Sequence, residues 1–168
     1  MPTARGRESL VLKSTVHAVQ SLLAQQRVLA LAVQAGGTPY AGLLPFAPLP
    51  DRSGVIVHAS RLAKHAEGLV TGASVGVLLH EGDAPDKDPL QLQRVTFECT
   101  VEPLERASGA WHEARDLYLA RFPGSAITFG LGDFTLYRLA FQSGLYVAGF
   151  GRAIAIPEPD IARLNEGG

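Results

Sequence analysis

Sulfur is scarce in this chain of 168 residues: one methionine and one cysteine, Cys99. A lone thiol has no partner for an internal disulfide, so the fold must hold without cross-links, and a reducing compartment suits it. No apolar stretch approaches the roughly 20 residues that cross a bilayer. The basic start, residues 1–7, runs into Glu8 and Lys13 without the apolar segment of a secretory signal. The expectation is a cytoplasmic protein with no membrane partner. Neither charge sign dominates, with 15 Lys and Arg against 16 Asp and Glu and a net charge of −1. Non-specific nucleic-acid binding needs a basic surface that displaces counterions, so nucleic acid is not an expected partner. The five histidines are scattered, and none forms a His-x-His or His-Glu-x-x-His pattern, so no metal site is expected.

Hydrophobic residues make up 46% of the chain and charged ones only 18%, the balance of a globular protein. The length fits one domain over residues 1–168. Leu12, Val16, Val19, Leu22 and Leu23 recur at helical spacing and predict a helix over residues 9–25. Short apolar or alternating runs then predict strands over residues 28–33, 40–49, 55–59, 74–79, 92–101 and 134–142. Pro45 and Pro48 demand an edge, a bulge or a kink in the second of these. In the run from Leu92 to Val101, Val95, Phe97, Cys99 and Val101 share one face, the pattern of a half-buried antiparallel strand. Trp111, Ala114, Leu117, Tyr118 and Phe122 form the stripe of another helix, stopped by Pro123-Gly124. Ser143-Gly144 reads as a turn into a strand over residues 145–148, and Ile154 and Ile156 can extend an edge. The barrel is expected over residues 27–156. Six or seven strands with two to three flanking helices predict a mainly β α+β barrel, because closure removes exposed edges.

The most informative segment is Ser60-Arg61-Leu62-Ala63-Lys64-His65. It follows the buried strand Val55-Ile56-Val57-His58-Ala59, and a helix is expected over residues 61–70. A hydroxyl, a guanidinium and an ammonium thus meet the unpaired N–H groups of a helix start, which suits a phosphate monoester. The ordinary alternative is a serine cap followed by two solvated cations. Gly72-Ala73-Ser74-Val75-Gly76 matches a hydrolase nucleophile pattern, but a helix before and a strand after it is the wrong context. Gly149-Phe150-Gly151-Arg152 is too short for a dinucleotide fingerprint and reads as a bulge or a close approach of backbone. Gln93 and Arg94 open a strand where they can meet the polar edge of a planar ligand.

The order of these pieces resembles the pyridoxamine 5′-phosphate oxidase-like flavoproteins, the FMN-binding split-barrel group, on the branch that includes haem-utilisation proteins. The resemblance spans residues 21–153. It rests on Gly37-Thr38-Pro39-Tyr40, the Ser60–His65 corner, Gln93-Arg94-Val95-Thr96, Gly130-Leu131-Gly132-Asp133-Phe134 with Leu136-Tyr137-Arg138-Leu139, and Gly149-Phe150-Gly151-Arg152-Ala153. It implies an antiparallel split β-barrel and a homodimer with FMN at the subunit interface. It implies that Ser60, Arg61 and Lys64 hold the FMN phosphate, that Gln93 touches the flavin ring, and that His58 and Ala59 line the strand beside it. Two departures from the pattern matter. The strand over residues 40–46 lacks the Arg and Lys that the authentic oxidase carries, and no C-terminal Arg-x-His pair is present. The haem-utilisation relatives carry an additional C-terminal domain, whereas this sequence stops at Gly168. The leading expectation is an FMN-dependent oxidoreductase of unassigned substrate. A haem-binding protein and a non-enzymatic flavin-binding module on the same barrel are the alternatives.

Overall fold

A computed structural model describes residues 4–165 of the chain, with side chains from residue 13 onward. Helix α1 (Ala4–Gln25) leads into strands β1 (Val28–Ala35), β2 (Thr38–Pro48), β3 (Gly54–Ser60) and β4 (Ser74–His80). Strand β5 (Arg94–Pro103), helix α2 (Gly109–Arg121), strands β6 (Phe134–Val147) and β7 (Ala153–Ile156), and helix α3 (Glu158–Ile161) complete it. The sheet runs β3-β2-β1-β4-β5-β6-β7, and every pairing is antiparallel. A further pairing of β3 with β6 closes six strands into a barrel and leaves β7 as an extra strand on β6. This is the mainly β split barrel anticipated. Among the described residues, no helix is long and apolar enough to cross a membrane.

Alternation builds the interior. On β5, Val95, Phe97, Cys99 and Val101 all point inward and are buried, as their spacing required. Leu29, Leu31, Val33 and Ala35 of β1 do the same. The Phe97 ring stacks on Phe141 at 3.8 Å. Val19, Leu22 and Leu23 of α1 join this core; Leu12 lies outside the described side chains. Each such side chain, fully buried, contributes about 1.5–3 kcal/mol. Burial, with the Glu98 charge nearby, pushes the Cys99 thiol up to about 12. The two prolines of β2 mark a change of partner: β2 pairs with β1 up to Pro45↔Val28 and with β3 from Phe46↔Val57 onward. A strand that turns a barrel corner here needs no continuous ladder on one side, which is how it tolerates them.

A second, smaller core lies on the outer side of β3. Ile56 and Leu136 pack there against Trp111, Ala114 and Tyr118 of α2. Ser108 caps α2, its hydroxyl accepting from the Trp111 N–H at 3.1 Å. The aromatic stripe of α2 is thus core packing.

Three expectations are corrected. Residues 61–70 do not form an α-helix; only Lys64–Gly68 coils, as a short 3₁₀ turn, after Ala63 in an extended conformation. The reason is local competition. The Ser60 hydroxyl takes the Leu62 N–H, and Gly68 is buried so close to Val33 that a Cβ would stand 2.6 Å from its side chain. Ser143-Gly144 is not a turn, because β6 runs unbroken through it. A register shift between Glu98 and Cys99 of β5 absorbs the irregularity. Gly144 is needed there, since a Cβ would lie 3.0 Å from the Phe97 ring. Gly149-Phe150-Gly151 is neither a strand bulge nor a nucleotide loop. It is the hairpin turn from β6 to β7, with φ of 135° at Gly149 and 74° at Gly151.

Candidate functional site

Ser60 ends β3, Arg61 and Lys64 follow it within four residues, and the first residue of β6 pairs with Ser60. That pairing brings a residue the sequence reading did not place, Asp133. The Ser60 hydroxyl donates to Asp133 Oδ2 at 2.6 Å and accepts from the Leu62 N–H at 3.1 Å. The Arg61 N–H donates to the Asp133 carbonyl at 2.7 Å, and the Ala63 N–H to the Ser60 carbonyl at 3.2 Å. The Arg61 guanidinium donates to the Gly132 carbonyl at 2.8 Å. Lys64 Nζ lies between both oxygens of Glu67, at 2.9 and 3.0 Å. The N–H groups expected to face an anion are therefore engaged at residues 61–63. No α-helix start stands behind them.

The other three residues lie elsewhere. His58 and Ala59 are neighbours on β3 and so point to opposite sides. Ala59 joins the barrel interior, while His58 faces the smaller core. The His58 ring stacks on Phe129 at 3.9 Å, meets Tyr118 edge-on and shares Nδ1 with the Thr128 hydroxyl at 3.2 Å. Burial, helped by the Arg106 charge, lowers its pKa to about 4, so the ring is neutral at pH 7. Gln93 sits before β5, whose first residue pairs with the last residue of β6, whereas Ser60 pairs with the first. Gln93 and the corner are thus attached to opposite ends of the 14-residue β6. Gln93 Oε1 accepts from the Tyr146 hydroxyl at 2.6 Å, and its N–H donates to Glu81 at 2.9 Å. Ser74 opens β4 and donates to Glu98 at 3.2 Å; it begins a strand instead of standing on a strand-to-helix turn, so the nucleophile-elbow context is absent.

A different surface was missed altogether. One cross-strand row on the outside of the barrel reads Leu43↔Ala30↔Leu78↔Thr96↔Leu145↔Ala155. The next reads Ala41↔Ala32↔Gly76↔Glu98↔Ser143. Leu43 is 70% exposed and Leu145 46%. The small side chains of the second row leave a hollow of about 540 Å³ over Ala32, Gly76 and Thr96. An alternating antiparallel strand normally turns polar residues to water. Here both faces of β1 and β4 are largely apolar. The signal was present in Ala30, Ala32, Gly76 and Leu78, but its meaning depends on which strands adjoin.

A sequence model of the pyridoxamine 5′-phosphate oxidase family matches residues 15–148. The chain belongs to that family. It is 31% identical over 150 residues to the heme oxygenase HutZ of Vibrio cholerae, covering 85% of this chain and 83% of that protein. The solved HutZ structure, described as a heme storage protein, superposes over 73% of this chain and 87% of its own, with TM-score 0.64 and 28% identity. A heme binding protein from Mycobacterium smegmatis shares the fold over 89% of this chain, with TM-score 0.77 and 21% identity; the chain spans 60% of that protein's length. An FAD-binding protein from Mesorhizobium loti shares the fold at TM-score 0.58 and 17% identity, over 74% of this chain and 87% of that one.

Proposed function

We propose that this protein is a homodimeric haem-handling member of its family, with the apolar outer face of the barrel closed by a second copy of the chain. The observation that carries the reading is the contrast between its two exposed surfaces. The corner where a flavin phosphate would bind has its Ser60 hydroxyl, its backbone N–H groups at residues 61–63 and the Lys64 ammonium engaged within the chain, while Arg61 spends only part of its guanidinium on the Gly132 carbonyl. The outer sheet face offers apolar area left exposed among the described residues. A porphyrin is flat and apolar apart from its two propionates, and the hollow over Ala32 and Gly76 gives it an apolar floor, with Gln34, Ser74 and Glu98 forming a polar side that the propionates would have to avoid. The resemblance to HutZ supports the same choice.

Bound haem would supply a redox-active iron, whose electronics the side chain holding it would tune. Among the histidines, His80 is exposed at the end of β4, and its Nδ1–H donates to the Glu81 carbonyl at 2.6 Å. That bond fixes the tautomer with a free lone pair on Nε2, the arrangement common in metal-ligating histidines. His58 is unsuited, being sealed under Phe129. His80 shares the outward face of β4 with Gly76 but lies four residues beyond it, outside the lining of the hollow, so it would meet a haem only at the edge of that face. Haem titration tests the reading: a shifted Soret band with saturable stoichiometry is expected, and its loss with reductant and oxygen would add turnover. A protein that stays monomeric and leaves the haem spectrum unchanged would refute it.

The second reading is a flavoprotein. It is favoured by the exposure of Arg61 and Lys64 at the strand exit, where an incoming FMN phosphate could reach both side chains. In it Ser60, Arg61 and Lys64 grip the phosphate, Gln93 of the partner copy meets the ring, and the enzyme is an oxidoreductase. FMN copurifying with the native protein would favour it over haem.

A further inference from the structure

We infer that Asp133 and Glu67 are specificity determinants that keep a phosphate monoester, such as that of FMN, out of the corner at the end of β3. The inference rests on the haem reading only in taking flavin as the ligand to be excluded. A hydroxyl has one proton to donate. The Ser60 proton is held by the Asp133 carboxylate at 2.6 Å, and its oxygen already accepts from Leu62. To bind a phosphate oxygen, Ser60 must release Asp133, and the freed carboxylate then faces a dianion. Like charges in such proximity repel, and the repulsion is strongest where solvent is partly excluded. Asp133 is half-buried, so screening is incomplete.

Glu67 acts on the second cation. It holds Lys64 Nζ with both oxygens, and it lies against the β1–β2 turn, where a Cβ on Gly36 would stand 3.1 Å from Glu67 Oε2. A phosphate that recruits Lys64 must compete with a carboxylate already in place. Arg61 is anchored differently, by the neutral Gly132 carbonyl, so it is the cation a phosphate can take most readily. Two cations set against two carboxylates leave the corner with no net positive charge, a poor cradle for a dianion. The corner thus keeps the residue types of a flavin site while its charge balance opposes flavin.

The test is a gain of binding. FMN fluorescence quenching is measured for the wild type, Asp133→Asn, Glu67→Gln and the double variant. Thermal unfolding and circular dichroism verify that each is folded. Asparagine can still accept the Ser60 proton through its carbonyl, and Glu67→Gln sits on an exposed turn, so at least one variant keeps the native corner. The wild type is expected to show no binding up to roughly 100 μM FMN, and the folded double variant at least about tenfold tighter binding. Adding Arg61→Ala to the double variant should abolish the gain, and inorganic phosphate should compete with it. Micromolar FMN binding by the wild type, or a folded double variant no better than wild type, would overturn the inference. Haem titration of the same proteins separates the two claims: absent haem binding refutes the haem reading and leaves the FMN comparison to stand or fall by itself.

Discussion

The corner at the end of β3 and the outer sheet face are both exposed, yet they are bonded in opposite ways. At the corner, polar groups are abundant and find partners a few residues away or across the β3–β6 pairing. On the sheet face the backbone is paired through the ladder, and β1, β2, β4, β6 and β7 turn apolar side chains outward, while β5 adds Thr96 and Glu98. The lesson is that a cluster of cations does not by itself mark a ligand site. What matters is whether the chain has already answered its hydrogen bonds.

The comparison can be broken most directly on the sheet face. Leu43→Glu with Leu145→Glu should weaken self-association at least a hundredfold, about 3 kcal/mol, because charges at the centre of an apolar contact are left unpaired. Light scattering reads this. Both positions are exposed in the protomer, so its own unfolding should barely move. A dimer of unchanged affinity would mean that this face is not the contact.

A smaller effect belongs to the buried side of β3. His58 has a folded pKa of about 4 against an ordinary 6.5, so it must lose its proton to fold. Its contribution is complete above about pH 6.5. It is lost as pH falls towards 4, because the unfolded chain binds the proton first; the loss is at most about 3 kcal/mol. Urea melts between pH 7 and 4.5 should show this slope, and His58→Phe should flatten it. Burial lowers His65 too, so a residual slope of the same sign is expected in the variant. An identical profile in His58→Phe would assign the acid sensitivity elsewhere.

The smallest effect sharpens the corner. Lys64→Ala removes an exposed pair spaced i, i+3, and should change stability by no more than about 0.5 kcal/mol. A much larger loss in denaturant melts would make Lys64 a structural strut rather than a free cation held by Glu67.

Legibility in the sequence followed the range of the forces involved. Period-two alternation exposed β5 and its interior set, since a strand's inward residues are fixed by its own pleat. The partner change in β2 was foreshadowed by Pro45 and Pro48, which cannot supply a full ladder. By contrast, Ser143-Gly144 mimicked a turn because Gly144 was selected by the Phe97 ring, 47 residues earlier in the chain. Asp133 could not be assigned to the corner without knowing that β3 pairs with β6, across 73 residues. The apolar outer face needed the strand order, since no single strand reveals that its neighbours are apolar on the same side. The missed helix over residues 61–70 failed on a local matter: a serine hydroxyl offering the backbone a competing turn.

Cys99 gives the barrel a built-in clock. Wholly buried, its thiol held far above the range where thiolate forms, it should resist alkylating reagents as long as the strands stay closed. Covalent labelling then occurs only during opening, and its rate under native conditions reports how often the barrel breathes. The same shielding means that any association seen without reductant is not a disulfide artefact of the closed protein.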